Sequence, residues 1–93
     1  MKKFSLGQMV LTAGVNDKVA DDEEFAKLVV KSIARHAIGD WGNLSAEDVE
    51  ENNYSVNREL RLLSAYELEG QPKIWIITEA DRSATTVLFP DEY

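Results

Sequence analysis

The stretch from Asp22 to Ala37 repeats apolar side chains at the spacing of one face of an α-helix. Acidic residues fill its first turn, whereas Lys31 and Arg35 lie near its end, which is the charge order that the helix dipole favours. Gly39 follows and can adopt the left-handed conformation that ends a helix. The sequence therefore predicts a helix over 22–37, and the apolar positions of its face are Phe25, Leu28, Val29, Ile33 and Ala37.

Three later segments have the pattern of short β-strands. Residues 60–69 alternate apolar and polar side chains, as in a half-buried strand. Residues 73–78 are apolar on both faces, which is typical of a central strand, and residues 85–89 form a last strand that Pro90 stops. The turn signals between these segments are short. They predict an antiparallel meander.

Two further segments complete the expected fold. Residues 8–15 predict a short strand that ends at the turn signal Asn16-Asp17. Ser45 can cap a second, polar helix over about 46–57, because an acidic residue follows three positions later. We expect one domain, 1–93, of the α+β class. It would have a three- or four-stranded antiparallel sheet, including the C-terminal meander, and two helices on one face.

The composition excludes several classes of function. The net charge of −7 argues against direct binding to nucleic acid through phosphate neutralisation. The absence of cysteine excludes a disulfide scaffold and thiolate chemistry. No apolar run is long enough to span a membrane, and no apolar stretch follows the basic residues 1–5 as it would in a signal peptide. We expect a cytoplasmic protein without a membrane partner.

Carboxylates are concentrated in one part of the chain. No Lys or Arg lies between Arg35 and Arg58, while five acidic residues do. A solvated surface with favourable helix N-termini would explain them. An acidic face presented to a basic partner, including a surface that imitates DNA, is the alternative explanation. The five residues are Asp40, Glu47, Asp48, Glu50 and Glu51.

The first polar constellation lies at the end of the predicted helix over 22–37. His36, the one histidine, could be a base or a ligand, or it could bond the last carbonyls of the helix. Trp41 between two glycines is either a core anchor or an exposed binding aromatic, and burial is the usual state of tryptophan. One histidine without thiolates does not make a zinc site, so no metal or cofactor is expected.

The second constellation is the stretch from Thr78 to Thr86, which could form a small-ligand or acid/base site at a hairpin tip. Its Asp and Ser residues are also ordinary turn formers, and Arg82 could pair with Glu79 or Asp81. Catalytic motifs such as a nucleophile elbow or HExxH are missing, so no catalytic residue is assigned. The combined polar site would comprise His36, Asp40, Trp41, Asn52, Thr78, Glu79, Asp81, Arg82 and Thr85.

Several runs resemble a family of short bacterial proteins that plasmids and integrative elements carry and that are labelled plasmid-related or hypothetical. The runs Gly39-Asp40-Trp41-Gly42 and 78–83 carry most of this resemblance, which extends from residue 6 to residue 93. Family members often have a glycine pair where this chain has Glu59-Leu60. The resemblance implies a protein of a mobile genetic element and supplies no catalytic mechanism.

These observations lead to three hypotheses of function. The first is a non-catalytic interaction protein of a mobile element, an acidic inhibitor of a host defence nuclease or of another basic, nucleic-acid-binding host protein. The second is a small-ligand-binding or minor enzymatic domain that uses the His36/Asp40 loop and the Glu79–Arg82 hairpin. The third is a self-associating protein whose open sheet edge pairs between copies.

Overall fold

The computed structural model describes residues 3–93, which form a four-stranded sheet and three α-helices. The α+β class is thereby confirmed, and Met1 and Lys2 of the basic N-terminal stretch lie outside the described residues. The elements are β1 (Gln8–Leu11), α1 (Ala13–Asp21), α2 (Glu23–Ala37), α3 (Ala46–Val56), β2 (Leu62–Tyr66), β3 (Ile74–Thr78), β4 (Ala84–Leu88) and a 3-10 turn (Pro90–Glu92).

The strand order is β1-β4-β3-β2. Strands β2, β3 and β4 form the expected antiparallel meander. Strand β1 pairs in parallel with β4, with Gln8 opposite Ala84, so the sheet is mixed and the expectation of antiparallel strands alone is wrong at β1. No hairpin joins β1 to β4, because most of the chain lies between them. No local turn therefore determines the direction of β1.

The N-terminal region differs most from the expectation. The strand predicted over 8–15 ends at Leu11, and the turn signal at Asn16-Asp17 lies inside α1. Thr12 caps this helix, since its hydroxyl accepts a hydrogen bond from the Val15 amide at 3.3 Å. Glycine, asparagine and aspartate are poor helix formers, but burial of Val15 in the core outweighs their propensity.

The two predicted helices are confirmed within one or two residues. Asp22 caps α2 by accepting from the Phe25 amide at 3.1 Å, and Ser45 caps α3 by accepting from the Asp48 amide at 3.2 Å. The expected pair of helices on one face is corrected to α1 and α2, which supply core residues, while α3 contacts β2. In residues 3–93, no helix is both long and apolar enough to cross a membrane.

The core lies between α1, α2 and one face of the sheet. The inner strand β3 contributes Ile74 and Ile76, which are fully buried, as expected for an apolar central strand. Tyr66 and Val87 continue the same face on the neighbouring strands. The remaining buried members of this core are Val15, Phe25, Leu28 and Val29.

Candidate functional site

His36 lies inside the protein with no exposed surface. Its Nδ1 contacts the Ser64 hydroxyl at 2.5 Å, and its Nε2 contacts the Thr78 hydroxyl at 2.8 Å. Thr78 in turn contacts the hydroxyl of Thr85 at 2.7 Å. The imidazole therefore does not bond the last carbonyls of α2, which was one expected role. It links that helix to three strands through buried polar groups.

The direction of each hydrogen bond in this buried series follows from the bond at its end, between Thr85 and Leu6. The Thr85 hydroxyl donates to the main-chain carbonyl of Leu6 at 2.7 Å, so it accepts from Thr78. Thr78 has thereby used its one proton and accepts from Nε2 of His36. His36 is a neutral imidazole protonated at Nε2, and its Nδ1 accepts the proton of Ser64. Burial, with a smaller effect from the charge of Arg82, lowers the pKa of His36 to about 4.

Trp41 is buried, and it forms an aromatic cluster with Phe4 and His36. Its ring stacks on Phe4 with 6.0 Å between centroids and meets the edge of His36 at 5.5 Å. The indole N–H donates to the Asn53 side chain at 2.9 Å. Trp41 is thus a core anchor beneath the loop that it belongs to.

Arg82 ties the β3–β4 turn to the C-terminal end of α3. It has a positive φ of 62°, which is uncommon for a residue with a side chain, and it lies partly buried. Its guanidinium donates to five main-chain carbonyls, those of Leu60, Glu79, Ala80, Ser55 and Val56. Carbonyls at the end of a helix lack intrahelical donors, so Arg82 supplies donors where α3 needs them.

Asp40 is held by Arg35 rather than by the hairpin. Arg35 donates to its two carboxylate oxygens at 2.7 and 3.0 Å, and this bonding lowers the pKa of Asp40. The main-chain carbonyl of Asp40 accepts from the Tyr66 hydroxyl at 2.6 Å. Burial raises the pKa of Tyr66 to about 12.

The candidate polar residues therefore fall into separate structural roles. His36, Thr78 and Thr85 share the buried chain of hydrogen bonds. The carboxylates of Glu79 and Asp81 are exposed at the hairpin, where Asp81 accepts from the Ser83 amide at 3.0 Å. A small-ligand function for this set stays a prediction. In this conformation such a ligand could not contact the imidazole.

The outer edge of β2 is covered by side chains and by the loop before α3. Asn52 donates to the Leu63 carbonyl at 2.6 Å and accepts from the Leu63 amide at 3.2 Å. Further along, Ala65 exchanges main-chain hydrogen bonds with Trp41 and Asn43. Edge strands pair readily with other chains unless they are covered, so these contacts protect β2. β1 lies at the opposite edge of the sheet.

A groove of about 510 Å³ lies between α3 and β2–β3. Its floor includes Ala65 and Trp75, which are direct neighbours across the two strands on the face opposite the core. Trp75 is half-buried there. The alternation of side chains along β2 and β3 could have indicated that Ala65 and Trp75 share a sheet face. The residues that α3 contributes to the groove depend on how that helix packs against the sheet. The lining residues are Asn43, Leu44, Ser45, Asp48, Glu51, Asn52, Arg61, Leu63, Ala65, Lys73 and Trp75.

The four carboxylates of α3 form one exposed band, because their positions fall at helical spacings of three and four residues. In the described part of the chain, none of them takes part in an ion pair. Asp48 and Glu51 face the groove, whereas Glu47 and Glu50 are not among its lining residues. We refer to Glu47, Asp48, Glu50 and Glu51 as the α3 acidic band. Asp40 does not extend it, since Arg35 neutralises that carboxylate.

The chain was compared with protein-family models, with curated proteins and with solved structures, and none of these comparisons finds a match. The resemblance to plasmid-related proteins therefore stays a prediction. Across residues 3–93, no group of three or more histidine and carboxylate side chains could hold a metal ion.

Proposed function

We propose that this protein is a non-catalytic interaction module that binds a basic, nucleic-acid-binding protein through the α3 acidic band. The partner class that follows from the resemblance to mobile-element proteins is a host defence nuclease or another host protein that contacts phosphates. By occupying the basic surface of that partner, the protein would exclude its nucleic acid.

The observation that carries this proposal is the grouping of four exposed, unpaired carboxylates on the single helix α3. Elsewhere in the described chain, four carboxylates have a basic partner within 4 Å, whereas others, such as Glu69 and Glu79, have none but are not grouped on a helix. The α3 carboxylates have none, although they are exposed and grouped on one helix. Unpaired like charges repel one another, and a basic partner would relieve that repulsion.

The buried state of the polar residues favours binding over catalysis. The histidine has no exposed surface, and the Arg82 guanidinium is occupied by main-chain carbonyls. General acid or base chemistry needs a titratable group within reach of a substrate. The four carboxylates of α3, by contrast, are exposed and take part in no ion pair within residues 3–93.

The test is affinity capture from a nuclease-treated bacterial lysate at low and moderate salt. The variant Glu47→Gln/Asp48→Asn/Glu50→Gln/Glu51→Gln should lose a nucleic-acid-binding protein that the unchanged protein captures. Capture of this partner by the unchanged protein should also weaken as the salt concentration rises, because exposed charges are screened within about 8–10 Å at physiological ionic strength. The purified partner should then bind DNA or RNA less tightly in the presence of this protein.

A matched control removes the same charge elsewhere. Asp17→Asn/Asp21→Asn/Glu23→Gln/Glu24→Gln neutralises four exposed carboxylates on α1 and α2 and should leave capture unchanged. Thermal unfolding of both variants verifies that each is folded. Equal capture by the α3 variant and the unchanged protein would contradict the proposal.

A further inference from the structure

The groove beside α3 combines an apolar floor with an aromatic ring that solvent can reach. Leu63 and Trp75 are half-buried, and Ala65 between them is buried, so the floor lies on the sheet face opposite the core. Its volume, about 510 Å³, lies within the range typical of sites that enclose ligand groups. A groove of this size can hold more than one side chain.

The two basic residues of the groove both have contacts, Lys73 with a carboxylate and Arg61 with the neutral side chain of Tyr93. Lys73 pairs with Glu67 at 3.2 Å. Arg61 donates to the Tyr93 hydroxyl at 2.6 Å and lies over the Tyr93 ring, 5.0 Å from its centroid. That ring in turn meets the edge of Trp75 at 5.8 Å. Tyr93, which does not itself line the groove, therefore orders two side chains that do, Arg61 and Trp75.

The α3 wall of the groove has charges without partners. Asp48 and Glu51 lie one helical turn apart on α3 and both line the groove. Neither takes part in an ion pair with any residue in 3–93. The charge that complements this wall is positive, and the floor favours a side chain that is also apolar along its length.

We propose that the groove receives an arginine side chain from an extended segment of the partner protein, together with an adjacent apolar side chain. This inference rests on the proposed function and names the part of the partner that is recognised. The arginine would donate to Asp48 and Glu51 while its planar guanidinium stacks on Trp75, next to the existing Arg61–Tyr93 stack.

Arginine fits these groups better than lysine does. Its guanidinium has five N–H donors in a planar fork, which can serve two carboxylates at once and still present a face to an indole ring. Lysine presents a compact charge that stays more strongly hydrated. Nucleic-acid-binding proteins use arginine on phosphates, so occupation of the groove and binding of nucleic acid would compete for one kind of side chain.

The test uses a defined probe, an acetylated and amidated nonapeptide in which three arginines alternate with leucine and glycine. Its twin replaces each arginine by citrulline, which keeps the shape and removes the charge. Binding is followed by NMR through the indole N–H resonance of Trp75, which is assigned by its absence in Trp75→Phe. We expect the arginine peptide to shift this resonance and the citrulline peptide to bind at least about tenfold more weakly.

The structure provides a matched pair of variants on one helix. Asp48→Asn/Glu51→Gln removes two charges that face the groove, whereas Glu47→Gln/Glu50→Gln removes two that do not line it. The first pair should weaken peptide binding about tenfold and the second less than about threefold. Each pair takes one charge from the first turn of α3, so both lose similar helix stabilisation.

The outcomes separate this inference from the proposed function. Equal weakening by both pairs would overturn the groove assignment and leave the acidic band as the binding surface. Undiminished binding of the citrulline peptide would overturn recognition of arginine. If neither pair weakens binding of the peptide and the fourfold variant still captures the partner, both proposals fail.

Discussion

The Nε2 atom of His36 lies 2.8 Å from the hydroxyl oxygen of Thr78, although the two residues are 42 positions apart. This contact joins the last turn of α2 to the end of β3 inside the protein. Both partners are fully buried, so neither can turn to water if the other is removed. The single histidine of the chain is therefore a structural member of the core in its neutral form.

His36→Ala should lower the free energy of unfolding by about 3 kcal/mol. The change leaves a cavity and deprives the buried hydroxyls of Ser64 and Thr78 of a partner. His36→Gln should lose less, because its side-chain amide can still donate to Thr78. Urea unfolding monitored by circular dichroism measures both variants. A loss below about 1 kcal/mol for the alanine variant would contradict this structural role.

The stability of the protein should fall as the pH decreases from about 6.5 toward 4. In the unfolded chain His36 has its ordinary pKa of 6.5, whereas burial lowers the folded-state pKa to about 4. Between these two pH values the unfolded chain binds more protons than the folded protein, so protonation favours unfolding. The contribution of neutral His36 to the free energy of unfolding is therefore complete only above pH 6.5. The expected loss is about 3 kcal/mol, measured by urea unfolding across this range.

This pH window identifies the group responsible. The lowered pKa values of Asp22, Asp40 and Glu92 imply stabilisation that is present above their ordinary values and is lost only at lower pH, below about 4.5. His36→Gln should therefore be insensitive to pH between 6.5 and 4.5. NMR of the imidazole nitrogens at pH 7 should show the neutral form protonated at Nε2. A titration of His36 near 6.5 in the folded protein would contradict the assignment.

Arg82→Lys should lower the free energy of unfolding by about 2 kcal/mol although it keeps the charge. One ammonium group cannot serve the five carbonyls that the guanidinium bonds, including those of Ser55 and Val56 at the end of α3. Amide hydrogen exchange should become faster in the last turn of α3 and remain unchanged in α2. Arg82→Gly relieves the positive φ of residue 82, so a gain in stability for that variant would show that strain outweighs these bonds.

Asn52→Ala should both destabilise the protein and promote self-association. The change removes two hydrogen bonds to Leu63 and exposes the outer edge of β2 to pairing with another chain. We expect a loss of about 2 kcal/mol in urea and a rise in molar mass by light scattering at high concentration. Asn57→Ala, at an exposed position just after α3, is the control and should remain unchanged in both measurements.

Gly42→Ala should be far more destabilising than Gly70→Ala. Both glycines have positive φ, 76° and 84°, so each substitution carries the same backbone strain of about 1 kcal/mol. An added Cβ at Gly42 would also overlap the carbonyl oxygen of Ala65, whereas nothing lies within 4 Å of it at Gly70. The difference in thermal unfolding temperature between the two variants measures this overlap. Equal temperatures would contradict the close approach of the loop to β2.

Local sequence patterns were sufficient for the elements whose stability is encoded within their own residues. The apolar stripe of α2, the Ser45 cap of α3 and the apolar run of β3 all appear in the structure where they were expected. Helix α1 was missed because its helical state depends on the burial of Val15 rather than on propensity. Thr12 and the spacing of Val15 and Val19 are the signals that could have revealed it.

The features of the candidate site also separate into those that local sequence determines and those that tertiary packing determines. The sequence by itself determined that carboxylates would be concentrated on α3, because helical spacing places Glu47, Asp48, Glu50 and Glu51 on one exposed band. Only the tertiary structure decided that His36 is buried among hydroxyls, that Arg82 binds the end of α3, and that Trp75 lies in a groove with two of those carboxylates. The physical reason is range. Helical periodicity acts over three or four residues, whereas the hydrogen bonds of His36 with the hydroxyls and of Arg82 with the end of α3 join residues 26 to 42 positions apart, so packing of the whole chain determines them.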